Sequence, residues 1–152
     1  MITITISRKY KTFVDLEQLR IAAQTSIDIL KPKEEYELTI AVKDDIQVRR
    51  LNKQYRQIDA TTDVLSFEAH DLNPESGLIY LGDIIISYPK TLSQSITADH
   101  PVSSEIQLLV VHGMLHLFGY DHSEPEDKEK MWMVQKNILD HLGITINHYP
   151  ED

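Results

Sequence analysis

The sequence predicts an α/β (α+β) fold, a single domain over residues 1–152 with a mixed sheet of about four strands and helices packed on it. Three observations carry that reading. Short β-branched stretches alternate along the chain with longer segments whose apolar residues fall at helical spacing. No linker or internal repeat divides the 152 residues, a length usual for one domain. Hydrophobic residues at 41 % and charged residues at 26 % give a globular composition, and a chain this long buries roughly 68–70 % of its unfolded surface without help from a disulfide or metal.

Each element has its own signal. Ile2-Thr3-Ile4-Thr5-Ile6 alternates apolar and polar residues and reads as a half-buried strand. Asp15 is placed to cap a helix carrying Leu19, Ala22, Ala23, Ile27 and Leu30 on one face, stopped by Pro32. Tyr36–Val42 returns to the strand period, and Asp44 or Asp45 caps a helix with Val48, Leu51 and Tyr55 on its apolar face. Residues 57–63 read as a loop, Val64–Phe67 as a short strand, and Asp71–Gly77 as a turn-rich loop. Leu78–Ser87 is nearly continuous apolar sequence, as in a strand covered on both faces.

The last third is helical. A helix follows Pro89, over about Lys90 to Ile96. Ser103 and Ser104 with Glu105 open another whose run Ile106–Phe118 is apolar enough to require burial, with Gly119 at the position after its end. Ser123-x-x-Glu126 has capping-box form and precedes Met131, Val134, Ile138 and Leu142 at helical spacing; Gly143 ends that helix.

Composition excludes several functions. With no cysteine, the chain has no disulfide, thiol nucleophile, iron–sulfur cluster or cysteine-based zinc site. Its longest apolar runs, such as Leu108–Val111, are four residues, whereas a membrane span needs about 20. A cytoplasmic protein is therefore expected, with neither membrane nor DNA as partner. The formal charge of −9 disfavours general nucleic-acid binding. Yet Lys43, Arg49, Arg50, Lys53 and Arg56 gather a third of all lysine and arginine into fourteen residues, either a solvated helix face or a local patch for RNA phosphates. Aromatic stacking platforms are not evident, Trp132 being the single tryptophan.

Three of the seven histidines lie together in His112-Gly113-Met114-Leu115-His116-Leu117-Phe118-Gly119-Tyr120-Asp121-His122. His112 and His116, four apart, project from one helix face, and Gly119 permits the sharp exit that swings His122 back toward them. Three neutral imidazoles leave a fourth position open, the composition of a catalytic zinc site. A histidine on an apolar helix is often only a hydrogen-bonded core residue. Several on one buried face, however, are costly unless something satisfies them. The spacing coincides with the metzincin pattern His-Glu-x-x-His-x-x-Gly-x-x-His except that Gly113 stands where the protease has its general base. The metal site is kept and the protease chemistry is not. Asp83, inside an apolar strand, can orient a ligand imidazole or act on a proton, and a structural ion pair or turn cap fits the same position. Asp63 and Asp121 read as turn residues, and His70, His100, His141 and His148 have no ligand spacing and read as surface or incidental residues.

The segment His112–His122 resembles the HGxLHLxGYDH signature of the YbeY family, metal-dependent endoribonucleases of ribosomal RNA maturation. Leu51–Arg56 followed by Thr62–Phe67, and Leu81–Ile84, agree with the same family in the same order. The resemblance implies an α/β fold, one Zn2+ on His112, His116 and His122, and cleavage of single-stranded RNA in ribosome biogenesis. That role includes 16S rRNA 3′-end processing and ribosome quality control, with ribosomal subunit or assembly proteins as partners. It marks Arg56 as a functional arginine beside the metal cleft, suited by its planar fork to hold a scissile phosphate; Asp83 completes the expected catalytic pair. Two other classes fit the bare residues: a metal-dependent hydrolase of another substrate, and a non-catalytic ribosome-assembly factor with structural zinc.

Overall fold

Alternating and continuous apolar strands set the sheet, and in the computed structural model, which describes residues 1–146 and 148–150, four of them pair. Strands β1 (Ile2–Ile6), β2 (Tyr36–Lys43), β3 (Val64–Leu72) and β4 (Ile79–Ser87) lie in the order β1-β2-β4-β3. The first three neighbours in that order run parallel, and β3 closes the sheet antiparallel to β4 at one edge. The mixed sheet of four strands is as the sequence predicts. Strand β4 sits inside it with Leu81, Ile84, Ile85 and Ile86 buried, which is why its sequence is apolar without alternation.

Five helices cover the sheet: α1 (Leu16–Leu30), α2 (Asp45–Arg56), α3 (Tyr88–Ala98), α4 (Val102–Leu117) and α5 (Pro125–His141). Asp15 caps α1 by accepting the Glu17 N–H, and Asp44 caps α2 by accepting that of Gln47. The two faces of the sheet differ. Leu38, Ile40, Val42, Ile84 and Ile86 join the main core with α1, α4 and α5, whereas Ala41, Leu65 and Ile85 meet Val48 of α2 in a smaller core on the opposite face. Helix α4 is the hub, packed on α1, α3, α5, β3 and β4.

Four boundaries depart from expectation. Strand β3 runs to Leu72, past the expected end at Phe67 and into the loop expected from Asp71. Its second half is a solvated edge, and a bulge between Glu68 and Asp71 breaks the two-residue period. Helix α3 begins at Tyr88 because Ser87 accepts the Lys90 N–H as its cap. Helix α4 begins at Val102, so Ser103 and Ser104 lie within its first turn rather than capping it. The expected capping box at Ser123 does not form: Pro125, which has no N–H to satisfy, takes the first helical position after Glu124. Ser123 instead donates to Asp121 through both its N–H and its hydroxyl.

The close approach of α4 to β4 has a residue-level cause. A Cβ on Gly113 would stand 2.8–3.1 Å from three side-chain atoms of Ile84. A side chain there requires Ile84 to shift, and a glutamate requires more, so packing disfavours the protease base at this position. Gly113→Ala is expected to lower unfolding free energy by about 1–3 kcal/mol, the usual range for overpacking, read as a fall in the urea midpoint; an unchanged midpoint contradicts this packing.

Candidate metal centre

The end of α4 builds the site. Gly119 adopts φ +90°, the region open to glycine. This lets the Tyr120 N–H reach the Leu115 carbonyl at 2.9 Å and the Gly119 N–H reach that of His116 at 3.0 Å, a Schellman motif. The reversal leaves the Tyr120 carbonyl 2.9 Å from His116 Nδ1 and brings His122 back to the helix. The exposed His70, in the β3 bulge, meets another helix-end acceptor, with its Nε2 2.8 Å from the Leu117 carbonyl. It is a surface residue, as the sequence suggests, and nothing in its sequence neighbourhood signals a contact 47 residues away.

The hydrogen bonds decide which nitrogens are available. A carbonyl only accepts, so His116 Nδ1 carries a proton. His112 Nδ1 lies 3.0 Å from Gln135 Oε1 and is oriented in the same way. Both Nε2 atoms are then lone pairs, and they face each other 3.1 Å apart. Two lone pairs in that position repel unless a cation lies between them. His122 Nε2 is buried with no hydrogen-bond partner. One ligand nitrogen from each of His112, His116 and His122 lies within 4.8 Å of the others. This donor set fits a metal ion, since it brings three imidazoles to one point, two of them with lone pairs facing inward and the third with a buried Nε2 that no other group satisfies. Burial, with His116 and His122 close by, pushes the His112 pKa down to about 3, while Gln135 opposes the shift. The ring therefore stays neutral, as a ligand must.

Helix α5 supplies the supports. Gln135 orients His112, and Trp132, three residues earlier, stacks on His122 with ring centroids 5.3 Å apart. Tyr149 stacks in turn on Trp132 at 4.5 Å. Neither Gln135 nor Trp132 is among the residues the sequence singled out. The available signal is that Gln135 occupies a buried position of an otherwise apolar stripe with Met131 and Ile138, where a glutamine needs a partner.

Arg56 and Asp83 are each neighbours of Phe67. The Arg56 guanidinium lies 5.8 Å from the Phe67 ring centre, and Phe67 and Asp83 are cross-strand partners. Arg56 also donates to the Ser66 carbonyl at 3.2 Å, and the Ser66 hydroxyl reaches the Gly113 carbonyl at 3.4 Å, one residue from His112. Asp83 accepts the Tyr80 hydroxyl, which is 2.6 Å from Thr39 Oγ1. The bonds that orient His112 and His116 come from Gln135 and the Tyr120 carbonyl, and the carboxylate of Asp83 accepts the Tyr80 hydroxyl. In the basic helix, Asp59 pairs with Arg49 at 2.7 Å and lies 4.0 Å from Lys53, partly offsetting the patch.

Comparison with known proteins agrees with this architecture. The sequence profile of the family described as endoribonuclease YbeY matches residues 4–143. Proteins named endoribonuclease YbeY from Limosilactobacillus reuteri and Oceanobacillus iheyensis are 39 % and 40 % identical. They align over 86 % and 80 % of this chain and 89 % and 86 % of their own lengths. One from Roseiflexus is 37 % identical over 95 % of this chain and 94 % of its own. The solution structure of a Thermotoga maritima protein superposes with a TM-score of 0.59 over 94 % of this chain and 92 % of that one. At 22 % identity it speaks to the fold.

Two outcomes follow from the site. Gln135→Leu is expected to weaken zinc binding at the three histidines about 10–100-fold, the usual effect of losing a ligand's outer hydrogen bond, measured by competition with a chromogenic chelator; unchanged affinity contradicts the orienting role. The pH effect concerns the metal-free protein. Between pH 6.5 and about 3 the unfolded chain protonates His112 and the folded chain does not. This contribution to stability is complete above pH 6.5 and falls with acidity by about 1.4 kcal/mol per pH unit. Urea titrations from pH 7.5 to 5 check it, and a His112→Gln variant with the same pH slope refutes it.

Proposed function

The chain belongs to the YbeY endoribonuclease family, and from that premise we propose that it is a zinc-dependent, single-strand-specific endoribonuclease of rRNA maturation. In this reading it acts in the cytoplasm at the 16S 3′ end and in ribosome quality control, beside ribosomal or assembly proteins. Its enzyme class, a hydrolase cutting RNA phosphodiester bonds, is that of the family. The observation that carries the metal dependence is the pair of facing Nε2 lone pairs with the buried, unpartnered His122 Nε2 beside them.

His112, His116 and His122 would hold the ion, which when bound supplies Lewis acidity toward a phosphoryl oxygen and toward water. Gln135 and the Tyr120 carbonyl keep the imidazoles in the ligating tautomer, and Trp132 shields one face of His122. Arg56, steered by the Ser66 carbonyl and the Phe67 ring, holds the scissile phosphate and stabilises charge that develops on it. Asp83 acts as a positioning residue: its carboxylate already accepts the Tyr80 hydroxyl and so fixes the β4 side opposite Phe67. The exposed arginines of α2, above all Arg50, give salt-sensitive contact with backbone phosphates. With a net charge of −9, affinity for isolated RNA is weak and ribosomal partners supply the selection.

Cleavage of an end-labelled single-stranded RNA by wild type and His116→Ala, purified identically, tests the reading. Wild type cuts, a chelator stops it and zinc restores it, while His116→Ala is inactive; equal cutting by both, or by neither, defeats it. Arg56→Ala is expected to lose about 10²–10³-fold in rate, the scale of removing one charge-stabilising donor. Asp83→Asn is expected to retain the wild-type shape of the pH–rate profile, and the disappearance of one limb would make it a proton carrier instead.

A further inference from the structure

A second cluster lies on α4, about two helical turns before the first metal histidine, where Glu105 is buried with 0 % of its side chain exposed. His100 Nε2 and His148 Nε2 both lie 2.6 Å from its Oε1. The two imidazoles stack with centroids 5.5 Å apart, and one ligand atom from each of the three residues lies within 4.8 Å of the others. The two histidines are 48 residues apart and show no ligand spacing in the sequence, so only the fold brings them together.

Charge and hydrogen-bond accounting point to a ligand here. A buried carboxylate requires a positive partner, and its ion-pair contacts among the described residues are to these two rings alone. Protonating both rings stacks two like charges. Glu105 Oε2 is buried and unpartnered. A divalent cation takes one lone pair from each Nε2 and gives both carboxylate oxygens a positive partner, with the rings neutral. Ligand atoms on a tetrahedral ion at about 2.0–2.1 Å stand roughly 3.3 Å apart, so the 2.6 Å contacts open by under an ångström to admit it.

We propose that His100, Glu105 and His148 form a second metal site, for a zinc-class divalent ion, that fastens the segment after α5 to the first turn of α4. Two imidazoles and a carboxylate suit such an ion. The site is a latch: Tyr149, next to His148, stacks on Trp132, and Trp132 stacks on His122. The ion thereby holds a chain of stacked rings against the first centre. This inference needs no nuclease activity.

The test uses the full chain with the first site dismantled by His116→Ala and His122→Ala, which leaves one of its three ligands. After zinc loading and gel filtration, elemental analysis is expected to find about one equivalent of zinc, with quenching or shift of fluorescence from Trp132, the protein's single tryptophan. Adding His148→Ala, in the partly exposed tail segment, abolishes both; His100→Ala does the same and guards against a folding effect of either change. No zinc in the double variant overturns the proposal, since the cluster is then an imidazole–carboxylate hydrogen-bonded triad. An equivalent that survives both further substitutions overturns it as well.

Discussion

Helix α4 is buried at eleven of its sixteen residues, yet it carries two imidazoles and a carboxylate into that interior. Several polar groups on it are answered from other elements. Helix α5 brings Gln135 to His112, the Schellman turn returns a carbonyl to His116, and the β3 bulge sends His70 to the Leu117 carbonyl. Gly113 lets the helix lie directly on Ile84, which sets the depth at which the histidines sit.

The consequence for chemistry is that the ligand nitrogens are chosen before any ion arrives. The hydrogen bonds to Nδ1 leave Nε2 of His112 and His116 facing inward, and the depressed His112 pKa keeps that ring from competing for a proton. Such preorganisation also explains why the metzincin spacing persists without metzincin chemistry. The spacing answers the geometry of a helix and its glycine exit, whereas the protease base would have to occupy the one position pressed against the sheet. In the proposed function, phosphate recognition falls instead to Arg56, which donates to the Ser66 carbonyl of the edge strand.

Most of the fold was legible because its signals are local. Asp15 and Asp44 cap the helices they precede in sequence, and the apolar run of β4 reports its burial on both faces. What escaped was decided by partners distant in sequence. The second half of β3 looks like a loop because one face is solvent and the bulge shifts its period. Ser123 has the form of a cap but yields to Pro125, which needs none. In the site, His112, His116 and His122 were legible from spacing alone. Gln135, Trp132 and the His100–Glu105–His148 cluster were not, since each joins elements whose approach no local pattern encodes. No helix among the described residues is long and apolar enough to cross a membrane.

The fold gathers the imidazoles of His112, His116 and His122 at one point, with the Nδ1 protons of two rings held in place. Nitrogen-15 spectra of the imidazoles, recorded as zinc is added to metal-free protein, test it most directly. The account predicts that His112 and His116 carry their proton on Nδ1 before and after zinc, and that the Nε2 resonances of His112, His116 and His122 move together as the ion binds. Zinc-induced shifts at Nδ1 with Nε2 protonated, or no response from the three rings, would contradict it.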